Sequence, residues 1–322
     1  MSQFIVLSKT IFLVMVLACT AMAQDFPNKT IRLLIGFPPG GGADVVARQL
    51  APRFSDEFGQ QVIVESRSGA GGNIALEYLA KQAPDGYTLM LTTPTITVNP
   101  ALYPKIGFDA QKDFSPIGLV ATTVYVLVVH PSLPVTSVVE LISLAKAKPL
   151  QLNYSSGGNG AAAHLAGELF RSMAGIKIIH LPYKGVAQAL MAVLSGEGQL
   201  TFATQPTALP HVYSKKLRAL GVTSSKRSIF TPEIPTIAES ALAGYETTAW
   251  FGVVGPAKMP QSVISHLNNK IRTILEKADV KIAMSKQSLE ILSSTPDQFG
   301  IFMRDELIKW TKVVRESEMR ID

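Results

Sequence analysis

A strand that runs straight into a glycine turn and then a helix sets the class of fold open to this chain. Ile31-Arg32-Leu33-Leu34-Ile35-Gly36 is an apolar, branched run that reads as a buried strand. Phe37-Pro38-Pro39-Gly40-Gly41-Gly42 follows, and Ala43 to Phe58 then sets Val46, Leu50, Phe54 and Phe58 on one helical face. Glycine amides at a strand end, with the partial positive charge of a helix start behind them, favour an anion. A tight turn capped by Asp44 accounts for the same residues. Two nucleotide motifs fail. A Walker loop needs Gly-Lys-Ser/Thr where Gly42 meets Ala43 and Asp44. The dinucleotide fingerprint starts at Gly40 and Gly42 but has Val45 at its third glycine.

Lys9, the apolar run Ile11 to Ala18 and Ala21-Met22-Ala23 have the form of a secretory signal cleaved after Ala23. The run is too short for a spanning helix. Cleavage there removes Cys19, the chain's one cysteine. In the alternative, Val16-Leu17-Ala18-Cys19 is a lipoprotein box that anchors the protein through Cys19. Either way the mature protein is expected to be exported, in the periplasm. A net charge of +6 without long basic runs favours small anionic ligands weakly and gives no support to nucleic-acid binding.

Strand and helix patterns alternate along the chain, which implies largely parallel sheets covered on both faces. After the first unit come strand Gln61 to Glu65, a glycine loop over Ser66 to Gly72, helix Asn73 to Gln82 and strand Tyr87 to Thr93. A second series begins with strand Tyr125 to Val129. Within it, Ser155-Ser156-Gly157-Gly158-Asn159-Gly160 precedes a helix over Ala161 to Met173, so a second set of glycine amides is available for the same anion. Ser155 or Ser156 as a cap of that helix is the structural alternative. Three more loops, Thr92 to Thr95, Pro182 to Gly185 and Phe202 to Pro206, reach the same rim in an open α/β sheet and add Thr93, Thr95, Tyr183 and Thr204 to the candidate set, which also takes Gly42 and Ala161 from the glycine loops; Lys184, and Arg67 before Gly69, are candidate cations. A long amphipathic stretch from Pro296 to about Val314 is expected to pack through Leu307 and Trp310. The five histidines lack metal-ligand spacing, no cofactor is implied, and Ser156 lacks the first glycine of a nucleophile elbow.

Several of these residues recur in order in a known family. Phe37-Pro38-Pro39-Gly40-Gly41 with Asp44, Arg67 to Gly72 before Asn73-Ile74, Ala83-Pro84-Asp85-Gly86-Tyr87, Gly160 with His164-Leu165-Ala166-Gly167-Glu168, Pro182-Tyr183-Lys184-Gly185 and Trp250-Phe251-Gly252 resemble the Bug-type extracytoplasmic solute-binding receptors of tripartite tricarboxylate transporters. The resemblance implies an α/β, two-lobed periplasmic-binding-protein fold of type II-like form, each lobe a mostly parallel sheet flanked by helices, with the ligand cleft between them. It implies a signal over residues 1–23, lobe 1 over 24–123 and 239–322, and lobe 2 over 124–238. The chain crossings are expected near Ala121 to Tyr125 and near Pro235 to Gly244. The implied activity is capture of an organic carboxylate by a monomer, not catalysis, and delivery to membrane permease subunits. Carried over residue by residue, the ligand site takes Phe37, Pro38, Gly40, Gly41 and Asp44 from one lobe and Ser156, Gly157, Asn159, Gly160 and His164 from the other. Gly42-Ala43, Ala161 and Ala203-Thr204 replace more polar residues of relatives, which implies a less polar pocket. A sensor feeding a signalling partner and an exported hydrolase using Ser156 and His164 are the competing functions.

Overall fold

The computed structural model describes residues 26–316. The expected leader, its cleavage after Ala23 and Cys19 lie outside the described residues. The first series comprises β1 (Ile31–Ile35), α1 (Gly42–Phe58), β2 (Val62–Ser66), a single 3-10 turn (Ala70–Gly72), α2 (Asn73–Ala80), β3 (Thr88–Thr92), α3 (Thr95–Leu102) and β4 (Phe114–Val129). The second comprises α4 (Val138–Ala147), β5 (Asn153–Ser156), α5 (Ala162–Ala174), β6 (Ile179–Pro182), α6 (Val186–Leu194), β7 (Leu200–Thr204), α7 (Gln205–Tyr213), β8 (Arg218–Val222) and α8 (Ile237–Ser240). The chain then adds β9 (Thr248–Pro256), α9 (Gln261–Glu276), α10 (Ala278–Lys286), β10 (Glu290–Ile291) and α11 (Pro296–Glu316).

The period-3.6 pattern of α1 is realised as read, since Val46, Leu50, Phe54 and Phe58 are all buried against β1 and β2. β2, β1 and β3 pair in parallel, as do β6, β5 and β7. Two long strands enter these sheets antiparallel. β9 pairs with β3, and β4 pairs with β9 over Phe114 to Val124. From Tyr125 to Val129 the same β4 strand pairs instead with β7 and β8. One extended segment therefore belongs to both sheets and changes partners at Val124–Tyr125. Two β-bulges, beside Pro116 and beyond Leu119, break the alternation of its first half.

The chain comes back to the first sheet at Thr248, opposite Val124. Just before that, Tyr245 is still packed in the second lobe, where its Oη donates to Ala166 O at 2.8 Å. The amphipathic α11 docks through Phe299, Met303, Trp310 and Val314, while Leu307 is half-buried. Trp310 and Val314 share a cluster with Val98 and Leu102 of α3 and with Leu165 of α5. The carboxyl-terminal helix thus touches both series.

Candidate functional site

Glycine at the head of α1 lets the first loop approach the opposite lobe closely. A Cβ at Gly40 would lie 3.3 Å from Ala187 Cβ, one at Gly41 would lie 3.9 Å from Val186 Cβ, and Pro38 packs on Gly185. Asp44 is buried and engaged within its own loop and helix start. Its Oδ2 accepts from Gly40 N at 3.0 Å and its Oδ1 from Arg48 Nε at 2.7 Å, so it pins the loop from behind. The cap position of α1 is Gly41, and no side chain bonds the helix start. The second loop ends the same way, with Ala161 at the cap of α5 and no side-chain cap. Uncapped helix starts leave their first amides unsatisfied and carry partial positive charge.

Both helix starts meet at one small cavity of about 50 Å³, lined by Phe37, Gly41, Gly42, Ala43, Thr93, Tyr125, Ala161, Ala162, Ala163, Val186, Thr204, Ala249 and Phe251. That volume is on the scale of a few water molecules, enough for one small head group. Of the residues read from sequence, Phe37, Gly41, Gly42, Thr93, Ala161 and Thr204 line it. Tyr125, Ala249 and Phe251 were not foreseen, and they come from the two long strands. Burial pushes the Tyr125 phenol well above its usual range, so it stays protonated and able to donate.

A wider cleft of about 500 Å³ lies beside this cavity and shares Phe37 with it. Ser68 to Gly72 and Tyr103 line it from one side, and Gly157 to Asn159 with Pro182 to Lys184 from the other. Here are the expected Gly157, Asn159 and Tyr183. The Tyr183 hydroxyl is engaged by Glu197 at 2.8 Å. Arg67 is occupied elsewhere, stacked 3.6 Å from the Tyr78 ring centroid and paired with Glu65 at 2.7 Å. Thr95 is buried beneath, its Oγ1 3.0 Å from Thr93 Oγ1.

Ser156, Gly160 and His164 line neither space. They build the second loop instead. Gly160 N donates to His164 Nδ1 at 3.2 Å, which takes the amide expected for a ligand. Ser156 Oγ accepts from Gly158 N at 3.2 Å and lies 2.6 Å from Nε2 of His180, so its imidazole partner is His180 rather than His164, and Ser156 is fully buried. The Ser156–His164 pair considered for hydrolysis is therefore not formed. His164 and His180 stack at 4.2 Å between ring centroids, with Tyr154 4.8 Å from His180. Glu168 closes the network, accepting from Tyr154 Oη at 2.6 Å and from Arg171 at 2.6 Å and 3.0 Å. Burial opposes the charge on Glu168, but Arg171 and Tyr154 together hold its carboxyl below the usual range.

This network makes stability pH-dependent. Burial and then the adjacent His164 hold His180 down to about 3, with Glu168 opposing, and burial also lowers His164. The unfolded chain takes up these protons near pH 6.5, so between about 6.5 and 3 the unfolded state binds more protons and stability falls with acidification. The slope is at most about 1.4 kcal/mol per pH unit for each imidazole, reduced for the half-buried His180 by solvent screening. Thermal melts from pH 7.5 to 4 should show a shallower loss in His180→Gln than in the parent. Parallel profiles would remove the stack as the cause.

Similarity to known proteins agrees with this geometry. A model of the tripartite tricarboxylate transporter family receptor matches residues 46–319. Protein BugT of Bordetella pertussis is 36% identical over 307 residues, covering 95% of this chain and 94% of that protein. The structure of R. palustris Rpa4515 with adipate superposes with a TM-score of 0.89 at 35% identity, covering 92% of this chain and 99% of that one. MatC of Rhodopseudomonas palustris with bound malate has a TM-score of 0.86 at 26% identity, covering 90% of this chain and all of that one. Two sheets joined by shared strands, two uncapped helix starts at one cavity and a family match along nearly the whole chain lead to one conclusion: this protein belongs to the tripartite tricarboxylate transporter receptor family.

Proposed function

We propose that this receptor captures a small organic carboxylate between its lobes in the periplasm and, as a monomer, delivers it unchanged to the membrane subunits of a tripartite tricarboxylate transporter. The observation that carries the reading is the meeting of two uncapped helix starts, at Gly42 and Ala162, on one cavity. The proposed lobes are residues 26–124 with 248–316, and residues 125–247, following the change of strand partners. Only the closed arrangement offers both helix ends to one anion, so the ligand selects it. The head group would sit among Gly41, Gly42, Ala43, Ala162, Thr93, Thr204 and Tyr125, with the body passing Phe37 into the wider cleft. The carboxylates held by relatives, adipate in Rpa4515 and malate in MatC, support this class.

The expected ligand is a mono- or dicarboxylate with an apolar or aromatic body. Asp44 is committed to Gly40 and Arg48, so no cleft carboxylate would meet an ammonium, and burying an unpaired charge costs several kcal/mol. Glycine and alanine at 42, 43 and 161 offer no hydroxyl partners either. Micromolar affinity requires about −8 kcal/mol, within reach of a few charge-assisted hydrogen bonds and excluded water. Calorimetry on refolded, ligand-stripped protein tests this. Adipate or benzoate should bind more tightly than glutamate, aspartate or citrate, and the reverse order would overturn the ligand class.

A further inference from the structure

One peptide of the second loop, next to the His stack, sits in a socket built by the first lobe. Tyr103, directly after α3, donates its Oη to Asn159 O at 2.7 Å. Gly71 lies so close that a Cβ there would fall 2.6 Å from Asn159 O and 2.8 Å from Tyr103 Oη. A Cβ on Gly160 would fall 2.7 Å from Tyr103 Cε2 and 3.0 Å from Asn99 Oδ1. Asn99 is held in place by its Nδ2, which donates to Asn73 Oδ1 at 2.6 Å and to Gly71 O at 3.1 Å. The socket thus has a braced floor, and Tyr103 supplies its donor to the other lobe. We propose that Tyr103 is a closure latch: its phenol captures the Asn159 carbonyl when the lobes shut, and so sets how long the cleft stays closed rather than which ligand it recognises. The proposal rests on the two-lobe receptor reading, yet its first test needs no ligand.

Burial raises the phenol above its ordinary range, which keeps it a donor. The partner is a backbone carbonyl, so the latch is indifferent to the side chain at 159. Its contribution is that of one hydrogen bond, about threefold to tenfold in the closed population.

The cross-lobe pair Gly41 and Val186 gives a direct readout. Their Cβ separation of 3.9 Å suits a disulfide, and the chain's single cysteine, Cys19, can be changed to serine. In stripped full-length protein carrying Gly41→Cys and Val186→Cys, oxidation by glutathione disulfide should be about threefold to tenfold slower when Tyr103→Phe is added. Melting temperatures of the reduced proteins should differ by no more than a few degrees, because the ring remains and only one hydrogen bond is lost. Asn159→Ala should leave the oxidation rate unchanged. Equal oxidation rates with and without Tyr103→Phe, or equal slowing by Asn159→Ala, would overturn the latch. In proteins without the cysteine pair, adipate should dissociate faster from Tyr103→Phe while its association rate holds. A slower association with unchanged dissociation would instead make Tyr103 a recognition residue and overturn the proposal. Failure of adipate to bind the parent at all would count against the ligand class alone, leaving the oxidation rates to decide the latch.

Discussion

Gly160→Val should lower ligand affinity by about a hundredfold or more, a loss near 2.7 kcal/mol, whereas Gly41→Val should lower it by only about tenfold. Sequence puts the two glycines in equivalent loops, but their surroundings differ. Gly160 has φ +73, a left-handed conformation that costs a residue with a Cβ roughly 1–2 kcal/mol. Its added Cβ would also meet Tyr103 and Asn99 of the opposite lobe, blocking closure. Gly41 has φ −92 and its Cβ would find only Val186 Cβ, at an ordinary contact distance. There the cost is confined to γ-methyl groups narrowing the small cavity that Gly41 lines. Calorimetry with a carboxylate that binds the parent protein, together with far-ultraviolet dichroism to confirm folding, measures both. Equal losses, or a larger loss at Gly41, would show that the second loop is not closed on by the first lobe.

Residue type carried the loops, because glycine and proline clusters between periodic segments mark turns without long-range information. The same local signals hid other elements. The first half of β4 contains Pro116 and Gly118 and two bulges, so its alternation is broken where pairing with β9 nonetheless holds it extended. α3 is rich in β-branched residues and contains Pro100, and α7 holds Pro210 in its interior, so propensity argues against both helices and burial overrides it. The site divides in the same way. Gly41, Gly42 and Ala161 are visible as helix starts. Tyr125, Ala249 and Phe251 reach the cavity only because β4 and β9 pair across a long stretch of intervening chain. His180 joins Ser156 through the parallel β5–β6 register, which no spacing in the sequence announces.

β9 also separates stability from binding, because alternate residues face opposite sides of the sheet. Trp250 belongs to the cluster with Leu34, Met90 and Phe299, while Ala249 and Phe251 belong to the other face and line the small cavity. Trp250 is 1% exposed, its ring lies edge-on to Phe299 and Phe302 at 5.8 Å and 5.3 Å, and its Nε1 donates to Glu306 at 3.3 Å. It therefore ties α11 to the sheet. Trp250→Ala should remove about 3–5 kcal/mol of stability, combining lost transfer energy with the cavity left behind. At about 2–4 °C per kcal/mol the melting temperature should fall by roughly 6–20 °C. Affinity measured well below the melting transition should change by less than about threefold, since the cavity wall is built from the opposite face. Phe251→Ala should do the opposite in proportion, weakening binding more than Trp250→Ala does even where its effect on melting is smaller. Differential scanning calorimetry and ligand titration on the two variants separate the faces, and a Trp250→Ala protein that melts like the parent but loses binding would contradict this assignment of the strand.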